Sequence, residues 1–383
     1  MPSNASEYGV SSPVEYVLGS PDTSSTPPES DDESISPNLS FIKGRVSSAR
    51  KSVRIPDLCS SILSTEPVVN ANYEKVKLEA DNWIKEVFQF DETAAKKNVK
   101  ADFALMCALS APYADTEALR MMVDWHNWVF IFDDQFDEGH LKNDPVKAKE
   151  ELDAHWAILE DRNPPVQQHE NPIRYVFQTT WDRVKKRSSE DLQEHWKVSH
   201  KMYFDGLLGQ VKVAHSQSAF TLTIDEYMNF RRATIGTEPS FALVEYAHGI
   251  NISQKYLGHP SVRECERVSA DLVIFVNDIL SYRKDLEQGG EHNLILLLRA
   301  QGFSEQEAID QIGDMILECY RSWYRALAEL PVWGESVDKE VLRYIEACRT
   351  IALGNLHFTY TSERYLGHEG AQIRETRIMS LPA

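Results

Sequence analysis

From about residue 55 onward apolar residues recur at i, i+3, i+4 and i+7, and strict alternation is rare, so the pattern predicts helices nearly throughout. Several helix ends are written into the chain. In "NDPVKAKEELDAHWAIL", Asp144 offers a side-chain cap and Pro145 fits the first helical position. "HPSVRECERVSADLVIFVNDILSYRKDLEQGG" offers a capping box at Ser261 and Glu264 and a stop at Gly289-Gly290. A further helix should begin at the Ser304–Glu307 box of "SEQEAIDQIGDMILECYRSWYRALAELP" and stop before Pro331. Residues 1 to about 40 lack any such period. They are rich in Ser, Pro and acids, which cannot bury enough apolar surface to offset the entropy of ordering. A basic stretch, "KGRVSSARKSVRIP", follows. The expected organisation is therefore a disordered acidic tail and basic linker over residues 1–54, then one all-α domain of ten or more helices over 55–383. No internal repeat, P-loop or strand-following GxGxxG is visible.

With 42% hydrophobic and 10% aromatic residues, a chain of 383 can bury a substantial core. A formal charge of −19 argues against partners such as nucleic acid or an anionic membrane. The five cysteines are scattered and form no CxxC pair, which argues against a zinc site or a disulfide framework and fits a reducing compartment. No apolar run approaches the roughly 20 residues of a membrane span, and the N-terminus carries no signal-peptide pattern. The expectation is a cytoplasmic protein with no nucleic-acid partner and no stable membrane insertion, a monomer or homodimer.

Chemistry concentrates in two places. The first is "WHNWVFIFDDQFDEGHL", residues 125–141, where an apolar helical run ends in Asp133, Asp134, Asp137 and Glu138. Asp133 and Asp137 share a helix face, while Asp134 lies about 100° away. Acids at a helix C-terminus oppose the macrodipole and repel each other, so either water solvates them as a surface patch or they hold a cation. The second place is "FVNDILSYRKDLEQG", where Asn277, Ser281 and Asp285 form an i, i+4, i+8 stripe of oxygen donors about 12 Å long. Such donors suit a hard cation such as Mg²⁺, which commonly shares its coordination with substrate phosphate oxygens. Lys284, beside the last donor, favours a bridging anion. Further phosphate-binding candidates are Arg231 and Arg232 of "NFRRATIG", and Arg364 and Tyr365 of "SERYLG". Phe130 stands three residues before Asp133 and should line the same cavity. Trp125, Tyr203 and Phe358 are candidates for the rest of its wall, although aromatics at helical spacing are core by default. An apolar aromatic chamber with a diphosphate-binding mouth suits ionisation of a prenyl diphosphate, because an aromatic face stabilises a cation without attacking it.

Taken in order, "DDQFD" with its following Glu, "NDILSYRKD" and the late "RY" resemble the aspartate-rich motif, NSE/DTE triad and RY pair of class I terpene cyclases, over roughly residues 55–383. "WVFIFDDQFDEGHL", "NPIRYVFQ", "VNDILSYRKDLE" and "RYLG" are similar to fungal sesquiterpene cyclases of the presilphiperfolan-8-ol synthase group. The resemblance implies a class I terpenoid synthase bundle around a central cavity. It implies Asp133, Asp134 and Asp137 on one side, and Asn277, Ser281 and Asp285 on the other, as ligands for three Mg²⁺ ions. Asp285 stands where many members of the family carry Glu. Arg231, 46 residues before Asn277, matches the diphosphate sensor, with Arg232 as its neighbour and alternative. Lys284, Arg364 and Tyr365 match the rest of the diphosphate set, and Asp133, Arg231, Tyr365 and Phe130 would act closest to the reacting atoms. Ser110 and Phe358 occupy positions where bulkier aromatics are expected in that group. The implied reaction is cyclisation of farnesyl diphosphate by a 1,11 first closure to a presilphiperfolane, brasilane or caryophyllene skeleton. Two rivals are a chain-elongating prenyltransferase, which usually carries two DDxxD motifs, and a non-catalytic helical binding protein with merely solvated acids.

Overall fold

The computed structural model describes residues 51–216, 222–290 and 292–382, so the acidic tail expected over the first 40 residues lies outside the described residues. The fold is all-α, as the periodicity predicts. The helices are α1 (Tyr73–Phe88), α2 (Glu92–Ala101), α3 (Phe103–Ser110), α4 (Thr116–Asp137), α5 (Pro145–Leu159), α6 (Pro172–Arg187) and α7 (Glu190–His215). They continue with α8 (Ile224–Thr234), α9 (Thr237–His248), the single-turn α10 (Gln254–Leu257), α11 (Pro260–Gln288) and α12 (Leu294–Ala300). The series closes with α13 (Glu305–Ala328), α14 (Glu335–Thr361) and α15 (Gly370–Thr376). Two three-residue strands, β1 (Ser52–Arg54) and β2 (Ile378–Ser380), pair antiparallel with Val53 opposite Met379. Residues 52–54, expected in the linker, thus belong to the folded unit.

The caps behave as written, with one exception. Asp144 accepts from the Lys147 N–H with Pro145 in the first turn, and Ser304 with Glu307 forms a reciprocal capping box. Gly289 ends α11 in the left-handed conformation. The exception is the start of α11: His259, not Ser261, is its cap, Pro260 takes the first helical position, and Glu264 pairs with Arg267 instead of closing a box. A proline pre-set for the first turn carries the helix back past the serine.

Two helices form the inner wall. On α4 every residue from Leu119 to Val129 except Arg120 is buried, and on α11 so is nearly every residue from Val268 to Tyr282. An element apolar on all sides must be packed on all sides. Accordingly α11 packs on α13 and α14, α4 packs on α1 and α6, and α3 packs on α14. The last approach is close: a Cβ on Gly354 would come within 2.6 Å of Ser110 Oγ. Between α8 and α9 the chain breaks at Gly236, whose φ of +77° favours glycine. That break lines a large internal cavity.

Candidate active site

A cavity of about 1180 Å³ runs between α4, α7, α8, α9, α11 and α14. Both oxygen-rich stretches open on it. From α4 come Asp133, Asp134 and Asp137, and from α11 come Asn277, Ser281 and Asp285.

On the α4 side, Asp133 accepts a 2.8 Å hydrogen bond from the Tyr203 hydroxyl, and Asp137 a 2.5 Å bond from Gln210 Nε2. Both donors sit on α7, seven residues apart and hence on one face. Burial and the neighbouring Asp137 raise the Asp133 pKa well above the ordinary value, against the pull of Tyr203. Burial likewise raises Asp137. Asp134 is more open, with Arg364 at 4.0 Å. On the α11 side, Ser281 Oγ donates to Asp285 Oδ2 at 2.6 Å, and Asn293 Nδ2 donates to the same oxygen at 2.9 Å. Asn277 Oδ1 accepts from Arg231 Nη2 at 3.2 Å.

Arg231 joins the two sides. Burial works against its charge, but Tyr227, Asp278, Asp137 and Asp133 outweigh burial and hold it protonated. Its Nη2 lies 3.5 Å from Asp278, whose side chain is fully buried. Asp278 also accepts from the Tyr227 hydroxyl at 2.6 Å and the Leu294 N–H at 2.9 Å, and burial still pushes its pKa up to about 6. A guanidinium influenced by acids from α4 and bonded to α11 fixes the sensor candidate between both patches.

The remaining cations follow. Lys284 and Arg364 line the cavity with Tyr365. Burial and nearby Arg364 lower the Lys284 pKa. The Arg364 guanidinium lies 4.9 Å from the centre of the Phe130 ring, and among the described residues its Nε has no hydrogen-bond partner. Two half-buried cations that repel each other beside acids make a place where an anion gains on entering.

Two expectations are corrected. Arg232 is not part of this set: its Nε and Nη2 bond Asp271 at 2.6 and 3.0 Å, away from the cavity. Adjacent helical residues point about 100° apart, so only one of the pair can face inward. Phe358 does not line the cavity either; it is buried in a side cluster with Ala101, Phe103 and Leu109, and meets the Tyr365 ring edge-on at 6.3 Å. Trp125, Phe130 and Tyr203 do line it, and so does Ser110. Sequence reading missed Gln210, Tyr227, Asp278 and Asn293. The Tyr203–Gln210 spacing was a usable signal for the first; nothing local marks the others, whose partners come from distant helices.

The donor set fits a divalent cation. Asp133 and Asp137 are carboxylates forced together with less positive charge nearby than they need, and Asn277 and Ser281 add neutral oxygens. Among the described residues no three acidic, histidine or cysteine side chains converge into a ready-made cage. The set is instead split between two helices, as Mg²⁺ sites completed by substrate phosphates are.

Comparison with known proteins agrees with this geometry. The family described as terpene synthase family 2, C-terminal metal binding, matches residues 124–322. The chain is 48% identical over 330 residues to (+)-eremophilene synthase of Gibberella fujikuroi, covering 86% of this chain and 92% of that one. It is 43% identical to cycloaraneosene synthase of Sordaria araneosa, covering 89% and 93%, and 36% identical to silphinene synthase of Penicillium patulum, covering 86% and 90%. A solved α-eudesmol synthase superposes with a TM-score of 0.69 at 24% identity, covering 78% of this chain and 97% of that one, a likeness of fold. The chain belongs to the class I terpene synthase family: it is an enzyme, a terpene cyclase with a metal-binding region, related to fungal sesquiterpene synthases. No helix among the described residues is long and apolar enough to cross a membrane.

Proposed function

We propose that the enzyme is a sesquiterpene cyclase that ionises farnesyl diphosphate with Mg²⁺ and closes the resulting allylic cation into a ring system. The observation that carries this reading is Arg231, held between the acids of α4 and the Asn277 stripe on the wall of a cavity that also carries aromatic side chains. Asp133, Asp134 and Asp137, with Asn277, Ser281 and Asp285 opposite, would hold three Mg²⁺ ions, which neutralise the leaving diphosphate when bound. Arg231, Lys284, Arg364 and Tyr365 grip its remaining oxygens. Such preorganised charges lower the barrier because they are already aimed at the oxygens where negative charge grows. Phe130 and Trp125 line the cavity with aromatic rings, which stabilise a cation without adding to it. The surrounding wall excludes water until the rearrangement ends.

The sequence resemblance adds a 1,11 first closure and a presilphiperfolane, brasilane or caryophyllene skeleton. Silphinene synthase supports that direction by name. The relatives at higher identity carry other skeleton names, so the product itself is the discriminating observation. Incubation with farnesyl diphosphate and Mg²⁺ alone, followed by gas chromatography, tests the proposal. It expects a cyclic C15 alkene or alcohol, lost on chelation. Turnover only with added isopentenyl diphosphate would instead establish the elongating prenyltransferase.

A further inference from the structure

One nitrogen in the cavity is left unused by this account. His126 lies seven residues before Asp133 on α4, hence on the same face and about 10 Å further along the helix. Burial deepens in that direction: Asp134 is 53% exposed at its side chain, whereas Val129, His126 and Met122 are 8%, 7% and 1% exposed. The imidazole is oriented. Its Nδ1 lies 2.8 Å from the Met122 carbonyl, which can only accept, so Nδ1 carries the hydrogen and Nε2 carries the lone pair. Cys107 Sγ packs 3.2 Å from the same Nδ1, and the Trp125 ring stands edge-on at 5.1 Å. Among the described residues nothing hydrogen-bonds Nε2, and His126 lines the cavity beside Met122, Val129 and Ile351. Burial lowers its pKa to about 4, which keeps the ring neutral.

A carbocation that has migrated toward this end is out of reach of diphosphate oxygens held beside Asp133. It needs a local acceptor if it is to end as an alkene. We infer that His126 is that acceptor, the base that terminates the cyclisation. The inference rests on the farnesyl diphosphate reading above and adds a terminating group to it. In the last cation a C–H bond next to the cationic carbon breaks. Its electron pair becomes the C=C bond, and the proton joins Nε2. The imidazolium then gives the proton to water that enters once the hydrocarbon leaves, which restores neutral His126. Cys107 is a positioning residue: it touches only the Nδ1 side of the ring.

The test reads product composition per molecule of farnesyl diphosphate consumed, so that a general loss of rate does not move it. In His126→Gln and His126→Leu the share of the main wild-type alkene should fall by about tenfold or more, in favour of alkenes from earlier cations or of alcohols. Cys107→Val leaves the imidazole in place but crowds its Nδ1 side. It should shift composition in the same direction, less far, and this variant decides the matter if the His126 variants lose Mg²⁺-dependent pyrophosphate binding. Unchanged composition in the folded variants would overturn the inference, as would an alcohol as the sole wild-type product. Failure of the wild-type enzyme to consume farnesyl diphosphate would instead overturn the reading beneath it.

Discussion

Asp124 and Asp133 stand on the same helix, and the fold treats them in opposite ways. Asp124, 1% exposed at its side chain, is bonded to Arg120 at 2.9 Å and Arg183 at 2.8 Å. Asp271, 3% exposed, is gripped by Arg232 and Arg267. These carboxylates are closed structural units, each with two guanidiniums as counter-charges, which oppose the burial that still raises the Asp124 pKa. Asp133 has one hydrogen bond from a neutral tyrosine and a second carboxylate one turn away. Arg231, which pulls its pKa down, is shared with Asp137 and Asp278. The upper part of α4 is therefore electrostatically complete and its lower part is not. An acid cluster becomes a binding site where the fold withholds a counter-charge that it supplies elsewhere.

That contrast can be broken in four ways, in decreasing order of expected effect. Asp133→Asn should reduce cyclisation by roughly 1000-fold, while its metal-free melting temperature stays level or rises, because an unbalanced charge is removed. Near-normal turnover would end the metal assignment. Asp124→Ala should do the reverse: urea denaturation should show a loss of about 3 kcal/mol, with Arg120 and Arg183 left facing each other, and activity per folded molecule little changed. Saturation of the wild-type protein with Mg²⁺ and pyrophosphate should stabilise it by about 2.7 kcal/mol at a hundredfold excess over Kd, read as a rise in melting temperature. The same addition should leave Asp133→Asn nearly unmoved.

The smallest effect concerns pH. Burial pushes Asp278 up to about 6, and burial together with nearby Glu266 pushes Glu238 up to about 7. Asp133 and Asp137 shift upward too. These groups bind protons more tightly folded than unfolded, so their contribution is fully present below the ordinary carboxylate range. It is lost as pH rises through the folded values. Buried neutral histidines such as His126, held down at about 4, act in the opposite sense over the same window, so the acids are read by difference: between about pH 4 and 7 the metal-free stability of Glu238→Gln should climb more steeply with pH than that of the wild type. An identical slope in Glu238→Gln and the wild type would contradict the placement of that acid.

Much of this was legible in the chain because it is periodic. The i, i+4 spacing of Asp133 and Asp137, and the i, i+4, i+8 stripe of Asn277, Ser281 and Asp285, state which side chains share a face, and the cavity receives both sets. Caps such as Asp144 and Ser304 are local chemistry and equally readable. Rotation of a helix about its own axis is not local. Arg231 and Arg232 are chemically identical neighbours, and only Asp271 on α11 decides which of them turns away. Phe358 failed as a wall residue for the same reason: α3 fills the space on its side with Phe103 and Leu109. Tyr227 and Asn293 find Asp278 from other helices, a pairing that no spacing encodes.

The central claim is that the acids of α4 and the Asn277 stripe of α11 bind one metal–diphosphate assembly together. Calorimetric titration of Mg²⁺ and pyrophosphate into the wild-type protein, Asp133→Asn and Asn277→Ala measures it directly. Metal-dependent pyrophosphate binding is expected in the wild type, with its loss or severe weakening in each variant alone. Binding that survives Asn277→Ala unchanged while Asp133→Asn abolishes it would mean that the two helices do not share the ligand.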